Sequence, residues 1–463
     1  MTSTRDKLTD MRRRIAFLAA TFLFAFSSAT YGQAAPPARD RHVILISLDG
    51  FPAVALDNPR TPVPTLHRMV REGARAAAVI PVNPVVTWPN HTTYVTGVTP
   101  AKHQVMFNGL LVRDAAGLPK IEPWRPKREM VKAPTVYDAA HAAGLTTAQV
   151  DWVAIHEPET ITWAFAERPD PKGAIEKEMV AAGQVTDDDV ATFNKGTAAA
   201  WRDQVWTDAA VHILERHKPN LLLFHMLALD STHHTYGPGT MASTTAMAFL
   251  DAQVARLLAA LERSGLADKT TVVVLADHGF RTARRTINPN VALRGAGLIR
   301  GEGAGRQLDA WTMPWGGAAG IYLTDRTARA TLLPKIEAAL AGVEGVDRVA
   351  TGAALAALGL PDPASSDQAP DLVVAAHDGY DFGVADTGPL VVDTDATHPG
   401  HHGALNTDPS MRALFLAWGR DIKPGVRLGD VRAIDVAPTI AEWLGVALPT
   451  ADGTSLVRAL KGN

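Results

Sequence analysis

The stretch VILISLDG, Val43 to Gly50, decides the fold class. Val43 to Leu48 is a short apolar run rich in β-branched residues, which reads as a strand buried on both faces, and it stops at the turn-forming pair Asp49-Gly50. The same design recurs twice. NLLLFHMLAL, Asn220 to Leu229, runs to Asp230, and TTVVVLA, Thr270 to Ala276, runs into Asp277-His278-Gly279. Stretches with helical spacing lie around these runs, at Thr65 to Glu72, Thr135 to Ala143, Thr207 to His217, Thr245 to Arg263 and Ile434 to Leu444. Strands alternating with helices predict an α/β fold, a mainly parallel central sheet with helices on both faces. In that architecture ligands gather beyond the carboxyl ends of the strands, where all three runs place an aspartate.

Composition narrows the function classes. Of 463 residues, 46% are hydrophobic and 20% charged, enough apolar material for a sizeable core and too little charge for a disordered chain. A formal charge of -3 gives no basic field to hold a polyanion along its length, so stable nucleic-acid binding is not expected. The absence of cysteine excludes disulfides, thiolate metal sites and a cysteine nucleophile, and leaves any metal to His, Asp or Glu. At the start, Arg12, Arg13 and Arg14 precede the apolar run Ile15 to Phe26, and small residues follow up to Ala35. That is the layout of a signal peptide over residues 1–34, and the run is too short to cross a bilayer comfortably. The expectation is a periplasmic or secreted protein with no membrane anchor after cleavage, its catalytic domain at residues 40–460. Two segments interrupt the strand-helix rhythm, residues 152–201 with many charges and several prolines, and residues 297–315, rich in Gly and Arg. Both read as cap insertions over the strand ends.

Asp49 before Gly50 is by itself a turn signal as much as a ligand. Its context adds imidazoles: Asp230 is followed four residues later by His234, Asp277 at once by His278, and a late loop holds His398, His401 and His402 among glycines. Carboxylate with imidazole is a ligand set suited to zinc. TWPNHTT, Thr87 to Thr93, stands where a helix is expected to start. Thr87 reads either as the N-cap of that helix or as a hydroxyl nucleophile that a cation and the helix N-terminus activate.

Taken together, LISLDGF (45–51), PTLHRMVREGA (64–74), TWPNHTTYVTG (87–97), ALDSTHHTYGP (228–238), ADHGF (276–280), HHGALN (401–406) and DVAPTIAEWLGV (435–446) resemble the nucleotide pyrophosphatase and phosphodiesterase family of the alkaline phosphatase superfamily. The resemblance implies an alkaline-phosphatase-like fold and two zinc ions per chain. One ion would be held by Asp230, His234 and His402, the other by Asp49, Asp277, His278 and the Thr87 oxygen. The family's usual spacing selects His234 over His233, and Gly403 selects His402 over His401. Thr87 would be the nucleophile that becomes a phosphothreonine, Asn108 a donor to a phosphoryl oxygen, and Asn90 a further substrate-binding residue. Trp88 beside Thr87, with Trp152 and Tyr94, reads either as core or as a substrate-binding surface that stacks on a nucleobase or another flat leaving group. Two dications against three aspartates and a threonine alkoxide sum to zero, so a monoanionic diester suits the centre better than a dianionic monoester. The expected substrate is a small-molecule phosphate ester, with nucleotides leading. Alternatives within the superfamily are a phosphomonoesterase or a phosphonoacetate-type phosphonate hydrolase. Outside it stands a non-catalytic zinc- or phosphate-binding envelope protein.

Overall fold

All seven residues of the first strand, β1 (His42–Leu48), are buried in the computed structural model, which describes residues 38–115 and 117–462. The strands that build the site's scaffold follow in chain order: β2 (Ala74–Ala76), β3 (Thr147–Val150), β4 (Trp163–Phe165), β5 (Leu221–Met226), β6 (Thr270–Leu275), β7 (Ala310–Pro314), β8 (Ala318–Leu323), β9 (Val346–Ala350), β10 (Leu372–Ala376), β11 (Phe415–Gly419) and β12 (Val426–Leu428). The main helices are α1 (Pro64–Glu72), α2 (Thr87–Thr96), α3 (Val136–Ala142), α4 (Ala174–Ala181), α5 (Ala199–His217), α6 (Ala228–Tyr236), α7 (Met241–Arg263), α8 (Arg329–Leu340) and α9 (Val436–Leu444). The expected signal peptide, residues 1–34, lies outside the described residues.

One sheet takes eight strands in the order β12-β2-β11-β6-β1-β5-β3-β4. β1 runs parallel to both neighbours, with Val43 opposite Leu221 on β5 and Thr271 on β6, and β3 and β4 continue in parallel. Only β11 is reversed, antiparallel to β6 and to β2. Helices α1, α5 and α7 pack together as one group and α2, α3 and α9 as another. Between them they leave β1 without solvent contact, as a near-continuous apolar strand requires. The register has a direct consequence for the site. Ser47 pairs with Leu275, so Asp49 and Asp277, each two residues further on, emerge level with one another.

The apolar run at 220–229 divides rather than continuing as one strand. β5 stops at Met226, and the Asp203 carboxylate accepts from the backbone N–H groups of Leu227 and Ala228 at 2.8 Å each, which starts α6 there. Asp230 therefore stands in the first turn of a helix rather than at a strand end, and His234 lies one turn on along the same helix. Helix α5 also begins earlier than its apolar spacing indicates, at Ala199, where Ala and Gln favour helix.

The charged segment after Trp152 contains β4 and α4, and the Gly- and Arg-rich segment ends in β7. β7 belongs to a second sheet of order β7-β8-β10-β9, antiparallel throughout. Helix α8 covers it through Leu332, Ile336 and Leu340, which join Ile321, Leu323, Leu372 and Val374 in a core of their own.

Candidate active site

Two clusters of side chains meet beyond the carboxyl ends of β1, β5 and β6. Asp49, Asp277 and His278 form one, Asp230, His234 and His402 the other, and within each cluster one ligand atom per residue lies within 4.8 Å of the others. His278 Nε2 is 3.3 Å from Asp49 Oδ1 and from Asp277 Oδ2, and His234 Nε2 is 3.5 Å from Asp230 Oδ1. The clusters adjoin: the His278 and His402 rings stack with centroids 3.9 Å apart, and His234 meets His402 edge-on at 5.2 Å.

The hydrogen bonds behind the imidazoles set their tautomers. His234 Nδ1 donates to Gly400 O at 2.9 Å, His402 Nδ1 to Val85 O at 2.9 Å and His278 Nδ1 to Gly279 O at 3.2 Å. A carbonyl oxygen only accepts, so each proton sits on Nδ1 and each Nε2 presents a lone pair to its cluster. Burial, with help from the neighbouring imidazoles, lowers the pKa of His278 and His402, and burial lowers that of His234, which keeps all three rings neutral. Asp277 shows the same division of labour, since Oδ1 accepts from the Gly50 and His278 N–H groups while Oδ2 has no hydrogen-bond partner. Asp49 Oδ1, Asp230 Oδ1 and His278 Nε2 are likewise buried and unpartnered. Burial first, then the neighbouring Asp277, raises the pKa of Asp49 and pushes that of Asp230 up to about 8. Unpartnered buried polar atoms are rare, and a cation among three crowded carboxylates out of water would give these atoms a partner. The donor set of carboxylate oxygens and neutral imidazoles fits zinc.

Helix α2 brings Thr87 to this place. Val85 O holds His402, and the Thr87 carbonyl accepts from His91 Nδ1 at 2.8 Å, whose ring stands 3.7 Å from Asp277 Oδ2. Thr87 is the first residue of α2; the N-cap is Val86, and no side chain caps the helix, so the Thr87 hydroxyl is free of the capping role its residue type invites. The Trp88 N–H donates to Asn108 Oδ1 at 3.0 Å, which leaves the Asn108 amide N–H groups as the end open to a ligand. Trp88 lines a cavity of about 100 Å³ with Trp124, Trp152, Gln149, Glu167 and Arg168, and the Arg168 guanidinium lies 3.7 Å over the Trp124 ring.

Asn90 requires a correction. It is fully buried, its Oδ1 accepts from Val82 N at 2.8 Å, and its Nδ2 donates to the carbonyls of Val82, Pro84 and Val86. Both ends of its amide are engaged by the loop before Thr87 and none of it reaches solvent, so its contacts are those of a residue that holds the loop. His233, buried beside Ser243, and His401, 3.2 Å from Asp381, stand outside both clusters.

Two residues missed in the sequence lie behind Asp49. His225 Nε2 is 3.0 Å from Asp49 Oδ2, and its Nδ1 is 3.0 Å from Asp151 Oδ2. Burial lowers the His225 pKa, but Asp151 and Asp49 outweigh it and hold the imidazole protonated. A signal for both existed: His225 is a lone imidazole inside an apolar strand, and Asp151 follows β3 as Asp49 follows β1.

Comparison with known proteins gives the family and the fold. Residues 43–405 match the family described as Type I phosphodiesterase / nucleotide pyrophosphatase. Among curated relatives, an uncharacterized pyrophosphatase/phosphodiesterase of Schizosaccharomyces pombe is 26% identical over 246 residues, covering 51% of this chain and 44% of that protein. Ectonucleotide pyrophosphatase/phosphodiesterase family member 3 of Bos taurus is 24% identical over 241 residues, 51% of this chain and 25% of that protein. The chain thus spans less than half the length of these relatives. Among solved structures, murine ectonucleotide pyrophosphatase / phosphodiesterase 5 superposes with a TM-score of 0.67 at 17% identity, covering 89% of this chain and 98% of that one. The same murine protein has been solved as an inactive threonine-to-alanine form in complex with AMP. With most of its length matched by the family, the chain belongs to the type I phosphodiesterase / nucleotide pyrophosphatase family.

Proposed function

We propose that this chain is an exported, two-zinc phosphodiesterase or nucleotide pyrophosphatase that cleaves small phosphate diesters through a phosphothreonine on Thr87. The observation that carries the reading is the pair of three-residue clusters with unpartnered, buried ligand atoms beside the first residue of α2. Zinc held by Asp49, Asp277 and His278, and by Asp230, His234 and His402, would supply Lewis acidity and positive charge to the oxygens around phosphorus.

Thr87 Oγ1 attacks phosphorus, losing its proton as the P–O bond to the leaving group breaks and the leaving oxygen takes up a proton. Water then attacks the phosphothreonine, the Thr87–phosphorus bond breaks, and a phosphate monoester departs. The Asn108 amide donates to a non-bridging oxygen throughout. His225, clamped by Asp151, fixes the orientation of Asp49. The tryptophan-lined cavity next to Trp88 receives a flat group such as a nucleobase, in keeping with the AMP bound by the murine relative. Charge balance at the centre favours a diester over a monoester, and two of the guanidinium groups that follow Asp277-His278 in the chain are engaged elsewhere: Arg281 with Asp408 and the Tyr380 carbonyl, Arg285 with Glu344 and Asp393.

The test compares rates of the zinc-loaded protein on bis-p-nitrophenyl phosphate, p-nitrophenyl phosphate and phosphonoacetate. The reading expects the diester to be cleaved fastest, and expects Thr87→Ala to lose turnover while keeping its metal. Fast monoester or phosphonate cleavage with a slow diester would replace it with the neighbouring activities, and full activity in Thr87→Ala would remove the nucleophile. Export rests on the Arg12 to Ala35 pattern, and N-terminal sequencing of the mature protein from the periplasm or medium checks it.

A further inference from the structure

A third cluster of ligand-type side chains lies away from the proposed catalytic centre. Glu178 stands on α4, and His212 and His217 on the last turns of α5. Both imidazoles converge on one carboxylate oxygen, His212 Nε2 at 2.9 Å and His217 Nε2 at 2.8 Å from Glu178 Oε2. We propose that Glu178, His212 and His217 form a separate metal site that takes zinc and fastens the segment carrying β4 and α4 to helix α5.

The convergence of ligand atoms carries the argument: one carboxylate oxygen and two imidazole nitrogens face one another, all within 4.8 Å. His212 Nδ1 is 2.7 Å from Gln184 Oε1, and an amide oxygen behind a ligating histidine is the outer support metal sites use. The rings are held before any ion arrives: His212 is buried, and His217 lies flat on Trp163 of β4, with centroids 3.8 Å apart and planes at 25°. Tetrahedral zinc with bonds of about 2.1 Å spaces its ligands by about 3.4 Å, so the cluster opens by about half an ångström to admit it. Glu178, whose side chain is 36% exposed, supplies that movement, the route of entry and room for a water as fourth ligand.

This site is remote from the catalytic clusters. Asp203, which caps α6 beneath Asp230, lies fourteen residues before His217 on α5, about 21 Å along the helix axis. Bound metal would join four pieces of chain: β4 through Trp163, α4 through Glu178, the turn holding Gln184, and α5. Glu167 and Arg168, just after β4, line the tryptophan cavity, so the joint steadies one wall of it.

The full-length protein and the variants His217→Gln and Glu178→Gln, each checked for native circular dichroism, are dialysed against buffered zinc and their metal content is measured. The expected result is one zinc fewer per chain in either variant than in the unmodified protein, diester hydrolysis retained in both, and a smaller zinc-induced rise in Tm. Equal zinc content and an equal Tm response in all three proteins would overturn the proposal and leave the cluster as a hydrogen-bonded imidazole–carboxylate pairing.

Discussion

Replacing Asn90 by alanine separates a structural from a substrate-binding role. The side chain makes four hydrogen bonds to the loop at residues 82–86, at 2.8 Å from Val82 N and 3.4, 3.2 and 3.0 Å to the carbonyls of Val82, Pro84 and Val86. Two of these carbonyls keep another partner in the variant, since Pro84 O also accepts from Val86 N and Val86 O from Asn90 N. The Val82 N–H and carbonyl do not. A buried donor left unsatisfied costs about 1 to 3 kcal/mol, and the lost acceptor contact adds about 1 kcal/mol, so Asn90→Ala should lower stability by about 2 to 4 kcal/mol. The consequence reaches the site because this loop carries Val85, whose carbonyl orients His402, and ends at Thr87. Urea unfolding followed by tryptophan fluorescence gives the stability, and steady-state diester hydrolysis gives kcat and KM. The expected outcome is a lower midpoint with kcat falling at least as much as KM rises. An unshifted midpoint together with a raised KM alone would refute the reasoning and return Asn90 to the substrate.

Removing the imidazole behind Asp49 by His225→Ala should reduce zinc affinity and kcat by about 10- to 100-fold, the usual effect of losing a partner that orients a metal ligand; titration with a zinc chelator and an unchanged circular dichroism spectrum check this, and wild-type affinity would count against it. Glu176 gives a pH prediction outside the site. Burial raises its pKa to about 7 from an unfolded value of 4.5, so the folded state holds the extra proton and stability contributed below pH 4.5 is lost as pH rises to 7. Glu176→Gln should therefore match the unmodified protein near pH 4 and exceed its stability by about 2 to 3 kcal/mol above pH 7, and equal stability at both pH values would contradict the assignment.

What was legible in the sequence follows from how local each determinant is. β1 and β6 announce themselves because a strand buried on both faces must be apolar throughout, and the acids that follow them must come out at the same end of a parallel sheet. The boundary at Met226 was hidden, because apolar residues continue through Ala228 and Leu229 while the switch to helix is made by Asp203, far off in the chain. The second sheet was hidden for a related reason: β8, AAGIYL, is built half of small residues, and its apolar character resides in contacts with α8. Among the candidate site residues, the six Asp and His read from ordered motifs are brought together in two clusters. Asn90 was misread because an asparagine three residues after a nucleophile carries the same letter whether it faces substrate or a loop. His225 and Asp151 were passed over because neither belongs to a motif, although a polar residue inside an apolar strand has to be partnered.

The central claim is that two adjoining clusters of carboxylate and imidazole beside the start of α2 hold metal. Anomalous diffraction at the zinc edge from crystals of active, zinc-loaded protein tests it most directly. The account predicts one peak within zinc-bonding distance, about 2.0 to 2.2 Å, of Asp49, Asp277 and His278, and a second at the same range from Asp230, His234 and His402. An active protein with no anomalous peak at either cluster would contradict it.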